Sequence, residues 1–184
     1  MSRRFPPPFL PVVAGGVVSW DITWPRPDGL VWGLCGSGAW ALLCAGTAIT
    51  GVRLGWWPTL VPSKRRPRLM LLAMSGIAAI GVWLVCGRLG APPELLTRGR
   101  LAPLLAALVL ACTWVGNISL HTSAAAASVT LITLQLGRGW GALYLLVAAI
   151  AWSRLHLRAH TLAQVLAGAV LSTAVCAATV CLEG

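Results

Sequence analysis

The sequence predicts an all-α, polytopic membrane bundle of about six transmembrane helices. Three observations carry that reading. Of 184 residues, 58% are hydrophobic and only 10% are charged, with mean hydropathy +0.82. No soluble domain of this size hides so much apolar surface in one core. Long apolar runs recur along the chain, near the roughly 20 residues needed to cross a bilayer. Helix is the conformation that satisfies backbone polar groups within each segment in hydrocarbon.

The elements follow in order. The chain opens Met1-Ser2-Arg3-Arg4, then Phe5-Pro6-Pro7-Pro8 and an apolar stretch from Phe9 to Trp20. That stretch is short and contains Pro11, and no A-x-A cleavage pattern follows it. It reads as an interfacial or re-entrant segment rather than a signal peptide. Residues 1–28 are therefore expected to form an N-terminal Pro-rich, interfacial segment, and residues 29–184 one membrane-embedded domain. Trp20 and Trp24, flanking Asp21, suit the headgroup level. Six clearer spans run about Leu30 to Val52, Leu69 to Cys86, Leu101 to Ile118, Ser123 to Leu136, Trp140 to Trp152 and Thr161 to Leu182. Runs such as Ala124 to Ala127 let helix backbones approach closely in lipid.

The net charge of +10 comes from 14 Lys+Arg against 4 Asp+Glu. The cations sit in short loops between apolar runs, which suits lipid headgroups or a phosphate-bearing substrate. No exposed basic face for nucleic acid is visible. The six cysteines lie inside apolar runs without C-x-x-C pairing. They read as small buried hydrophobes, with neither disulfides nor zinc expected.

Crossing parity gathers the polar clusters. If each span crosses, the loop from Arg53 to Arg68, the turn at His121 and the segment from Arg154 to His160 share one face of the membrane. That face carries seven cations, and the other carries Arg88, Arg98, Arg100 and Arg138, plus Arg3 and Arg4 if the first apolar stretch does not cross, so the positive-inside rule does not decide orientation. Discounting cations that bind substrate leaves the shared face extracytoplasmic, in a multi-pass protein of the cell membrane.

These clusters have the makings of phosphate chemistry. Cleaving a phosphomonoester needs neutralisation of the nonbridging oxygens, a nucleophile and a proton for the leaving oxygen. Arginine forks match phosphate oxygens. Arg154 and Arg66 are the candidates, with Lys64 or Arg65 assisting and Ser119 offering a hydroxyl or backbone N–H. Imidazole suits nucleophilic and acid–base work near neutral pH, and two of the three histidines, His121 and His160, sit in these clusters. No cofactor is expected. Asp21, Asp28, Glu94 and Glu183 cannot readily build a metal site beside the motifs. His156 reads as structural, and the ten tryptophans as belt and packing residues.

Ser153-Arg154-x5-His160 resembles the third signature, S-R-x5-H-x3-D, of the type 2 phosphatidic acid phosphatase superfamily, which includes the vanadium haloperoxidases. Ile118-Ser119-Leu120-His121 is similar to its second signature, P-S-G-H, keeping the Ser and the His. Arg66-Pro67 fits the end of the first, K-x6-R-P, with Thr59 where the lysine belongs. Gln164 stands at the position of the closing Asp, and two spans separate the first and second signatures. His160-Thr161-Leu162-Ala163-Gln164-Val165 looks like H-T-x-x-Q-V of a divergent prokaryotic branch. The resemblance implies a metal-independent phosphatase acting on a lipid phosphate or diphosphate, such as phosphatidic acid, phosphatidylglycerol phosphate or a polyprenyl (di)phosphate. It implies His160 as the nucleophile forming a phosphohistidine, His121 as the general acid, and Gln164 as the residue orienting His160. Two other readings accompany it. One is a lipid-phosphate carrier, flippase or inactive scaffold keeping the same anion site. The other is a small structural membrane protein.

Overall fold

The computed structural model describes residues 9–62 and 64–183. Arg3, Arg4 and the Phe5–Pro8 run lie outside the described residues, as does the side chain of Glu183. Among the described residues the fold is entirely helical: α1 (Phe9–Thr23), α2 (Asp28–Arg53), α3 (Arg65–Arg88), α4 (Pro93–Gly99), α5 (Leu101–Val115), α6 (Leu120–Leu136), a 3-10 turn (Arg138–Leu143), α7 (Tyr144–His156) and α8 (Leu162–Glu183). Four stretches are long and apolar enough to cross a membrane: Asp28–Arg53, Arg65–Arg88, Pro93–Val115 and Leu162–Leu182. Each overlaps an expected span. The fourth and fifth expected spans, α6 and α7, have 17 and 13 residues. At about 1.5 Å per residue they fall short of a hydrocarbon core about 30 Å thick.

α6 is the axis of the bundle. It packs against α1, α7 and α8, and Thr122, Ser123 and Ala125 to Thr130 are all buried. Its alanines permit this, because in lipid the drive to associate comes from close van der Waals packing. Gly168 of α8 completes the approach. A Cβ there would stand 2.7 Å from Ser123 Oγ and 3.0 Å from the Ser119 carbonyl oxygen, so only glycine fits.

The stretch expected to be interfacial or re-entrant forms a packed helix. α1 lies along α2 and α6, with Ala14 and Val18 buried against Ile132. Backbones come close here too: Ser37 Oγ donates to the Gly33 carbonyl at 2.5 Å and to the Val12 carbonyl at 3.4 Å. On the other flank, Trp40 Nε1 donates to the Ser75 carbonyl at 3.1 Å, joining α2 to α3. Leu72 of α3 and Val109 of α5 meet Ile118 in a third cluster.

The two ends of α6 differ. At its C-terminal end Gln135 Nε2 donates to Asp21 Oδ2 at 2.9 Å. That carboxylate is thereby held about 22 Å from the N-terminal end, by the helical rise. Trp20 and Trp24 meet in a tilted ring pair nearby in the chain, with centroids 5.1 Å apart. The N-terminal end carries the polar clusters.

Candidate active site

One cavity of about 350 Å³ collects residues from five segments: Val61 and Pro62; Arg68; Asn117, Leu120 and His121; Arg154, Arg158, Ala159 and His160; and Gln164. The first turns of α3, α6 and α8 all contribute to it, through Arg68, His121 and Gln164. Helix N-termini carry partial positive charge and orphan N–H groups, which favour an anion. Among the described residues, no Asp or Glu lines the cavity.

The loop after α2 is drawn back to form one wall. The backbone N–H groups of Trp56 and Trp57 donate to the Gly51 carbonyl, and Trp57 Nε1 donates to the Ala48 carbonyl at 3.1 Å. The Trp57 ring is 2% exposed, so the fold-back is fastened by a fully buried indole. It delivers Val61 and the buried Pro62 to the cavity.

The link between α5 and α6 ties three helices together. Arg68 is 5% exposed and its Nη2 donates to the Ile118 carbonyl. The next residue, Ser119, donates its backbone N–H to the Gln164 carbonyl at 3.1 Å. Two consecutive residues thus couple α3 and α8 to the start of α6. Arg68 Nε and Asn117 Oδ1 are buried without a hydrogen-bond partner among the described residues, which is unusual for buried polar atoms. Both residues line the cavity.

α7 ends at the cavity in a complete Schellman motif. Ala159 N–H donates to the Arg154 carbonyl at 3.0 Å, and Arg158 N–H to the Leu155 carbonyl at 2.9 Å. The left-handed position falls on Arg158, at φ 49°. Glycine is usual there; a side chain costs about 1–2 kcal/mol. The motif turns the chain so that Arg154, Arg158 and His160 all reach the cavity. Arg154 Nε is buried without a hydrogen-bond partner among the described residues, while Nη2 lies 3.4 Å from Ser153 Oγ.

α8 begins with a reciprocal capping box. Gln164 N–H donates to Thr161 Oγ1 at 3.3 Å, and Thr161 N–H donates to Gln164 Oε1 at 3.3 Å. The same Oε1 lies 3.0 Å from His160 Nδ1.

The structure brings together His121, His160, Gln164 and Arg154 of the residues singled out in the sequence. It does not bring the others. Lys64, Arg65 and Arg66 are exposed and none lines the cavity. Arg65 instead lies over the Trp114 ring, 5.4 Å from its centroid. Ser119 is fully buried and its backbone N–H is committed to Gln164. Its Oγ accepts from Thr122 Oγ1 at 2.9 Å. It acts as an N-cap and a tie between helices, because the close α6–α8 approach encloses it. His156 stacks on Trp152, 5.1 Å between centroids, outside the lining.

Arg68, Asn117 and Arg158 are the lining residues that sequence reasoning missed. Arg68 left a signal: it shares a helix face with Leu72 and Ala79, the other buried residues of α3, at spacings of four and seven. Asn117 and Arg158 left none, since their positions depend on a link and a helix end.

No family model, characterised protein or solved structure matches this chain.

Proposed function

We propose that this chain is a membrane-embedded, metal-independent phosphatase that hydrolyses a lipid phosphate or diphosphate through a phosphohistidine. One observation carries the reading: two histidines and three arginines, from three separate segments, share a cavity lined by no carboxylate among the described residues. A membrane protein seldom gathers that much ionisable chemistry without a function for it.

The residues divide the work. Thr161 N–H can only donate, so the Gln164 atom facing it is the oxygen. That oxygen also faces His160 Nδ1, which must then hold the ring proton, leaving the lone pair of the neutral ring on Nε2. The Nε2 pair attacks phosphorus and the bond from phosphorus to the lipid oxygen breaks. His121 gives its proton to that departing oxygen. In the second step His121 takes a proton from water, whose oxygen attacks phosphorus. The P–N bond breaks and inorganic phosphate leaves, restoring both histidines. Arg68 and Arg154 neutralise the nonbridging oxygens in both steps.

The bundle suits a lipid substrate. With α6 and the 3-10–α7 segment as a shorter excursion out and back, the polar clusters share one end and the apolar tail stays in the bilayer. With Arg68, Arg154 and Arg158 assigned to substrate, Arg53, Lys64, Arg65 and Arg66 remain at that end. Arg26, Arg88, Arg98, Arg100 and Arg138 stand at the other. This balance favours an extracytoplasmic cavity.

Gln164 also supports a second reading, a non-hydrolytic lipid-phosphate binder, carrier or flippase. Its carbonyl gives only a dipole to the imidazolium that forms during attack, where a carboxylate would give a charge. A phosphate-release screen over lipid phosphates in detergent, with His160→Ala as control, separates the two. Release lost in the variant supports the phosphatase; binding without release supports the carrier.

A further inference from the structure

We propose that Arg158 is an anchor for a second phosphate, making the site selective for lipid diphosphates over lipid monophosphates. The inference rests on the phosphate-site reading above and names its substrate class. Three features of Arg158 lead to it.

The first is backbone cost. Arg158 is the non-glycine residue with positive φ among the described residues. It occupies the one position of the α7 terminus where glycine would be free of strain. Strained residues persist where the surroundings over-determine them, often at ligand clamps.

The second is charge. A terminal phosphate carries at most two negative charges, and Arg68 and Arg154 already supply two guanidiniums. A diphosphate ester carries up to three. Arg158 supplies a third guanidinium, and no carboxylate among the described residues lines the cavity to balance it.

The third is depth. Arg68 is 5% exposed, Arg154 is half-buried and Arg158 is exposed, yet all three line one cavity. The cations therefore grade from the interior to the rim. A diphosphate on a lipid tail has the same polarity: its terminal phosphate enters first and its ester-linked phosphate stays nearer the mouth. Arg158 meets that second phosphate.

The assignment extends the reaction. His160 Nε2 attacks the terminal phosphorus, and the bond from that phosphorus to the bridging oxygen breaks. The electron pair goes to the bridging oxygen, which leaves as part of the lipid monophosphate. The charge developing there faces the Arg158 guanidinium.

The test is competition binding in detergent with two probes sharing one tail, a methylene-bridged lipid diphosphonate and a lipid monophosphonate. Neither can be hydrolysed at the bridge. The wild type is expected to prefer the diphosphonate at least about tenfold, one strong charge-assisted contact. Arg158→Gly, which relieves the backbone strain and so keeps the fold, should remove most of that preference. Arg158→Lys should retain part of it. Equal preference in wild type and Arg158→Gly, or equal weakening of both probes, overturns the proposal. Phosphate release from the matching diphosphate is measured in parallel. A lost preference without wild-type turnover would sink the phosphatase reading and leave the anchor standing.

Discussion

Gln164 Oε1 lies 3.0 Å from His160 Nδ1 and also accepts the Thr161 backbone N–H at 3.3 Å. One oxygen therefore closes a capping box and sets a histidine tautomer. An isolated Gln–His contact could flip its amide and offer N–H to the ring. The capping box forbids the flip, because it would set an NH2 group against a backbone N–H. Helix capping and orientation of the His160 ring are the same interaction here.

Gln164→Leu is accordingly expected to lower kcat by at least about tenfold, roughly 1.4 kcal/mol of barrier. Gln164→Glu keeps the oxygen, the reach and the box while adding a charge, so it should hold or raise kcat. Gln164→Asp preserves the charge, but its shorter side chain has to serve both contacts. Thr161→Ala isolates capping: about 1 kcal/mol of stability is lost with turnover largely kept. Full turnover in Gln164→Leu would remove Gln164 from the mechanism.

His121 is tested through the leaving group. A general acid matters least when the departing oxygen needs no proton. His121→Ala should lose far more activity on an alkyl lipid phosphate than on p-nitrophenyl phosphate, whereas His160→Ala should lose both. Equal losses on the two substrates for His121→Ala would argue against a proton-donor role.

Arg68 should outrank the exposed run before it. Arg68→Ala leaves the Ile118 carbonyl without its donor, costing about 1–3 kcal/mol of stability, and removes the proposed phosphate ligand. Arg68→Lys keeps the charge without the fork and should recover only part of the activity. Lys64→Ala and Arg66→Ala should change stability by less than about 0.5 kcal/mol, as exposed substitutions do, and barely change turnover. Thermal melts and phosphate release on the four variants check this. A large loss for Arg66→Ala alone would reverse the assignment.

Turnover should persist in EDTA and be inhibited by vanadate. The cavity lining offers arginine, histidine and amide groups but no carboxylate to hold magnesium. Vanadate takes a trigonal-bipyramidal form like the phosphoryl-transfer state, which a complementary site binds tightly. Strict magnesium dependence would rule this mechanism out.

The sequence by itself determined the helical membrane class, because composition and run length follow from the solvent a chain must satisfy. It also determined a contact within the short-range motif: His160 and Gln164 are four residues apart, and helical spacing alone puts them in contact. The 17 residues of α6 show where it ran short, since an apolar run does not reveal how much of its helix faces protein rather than lipid. Tertiary structure alone decided which cations reach the cavity. Arg66 and Arg68 are both basic and two residues apart, but a helix turns about 200° between such positions. One faces out and the other meets Ile118. Ser119 was drawn into the core by a glycine 49 residues away, and Arg158 was aimed by a helix terminus. Each of those outcomes depends on how close two backbones come, which no local pattern encodes.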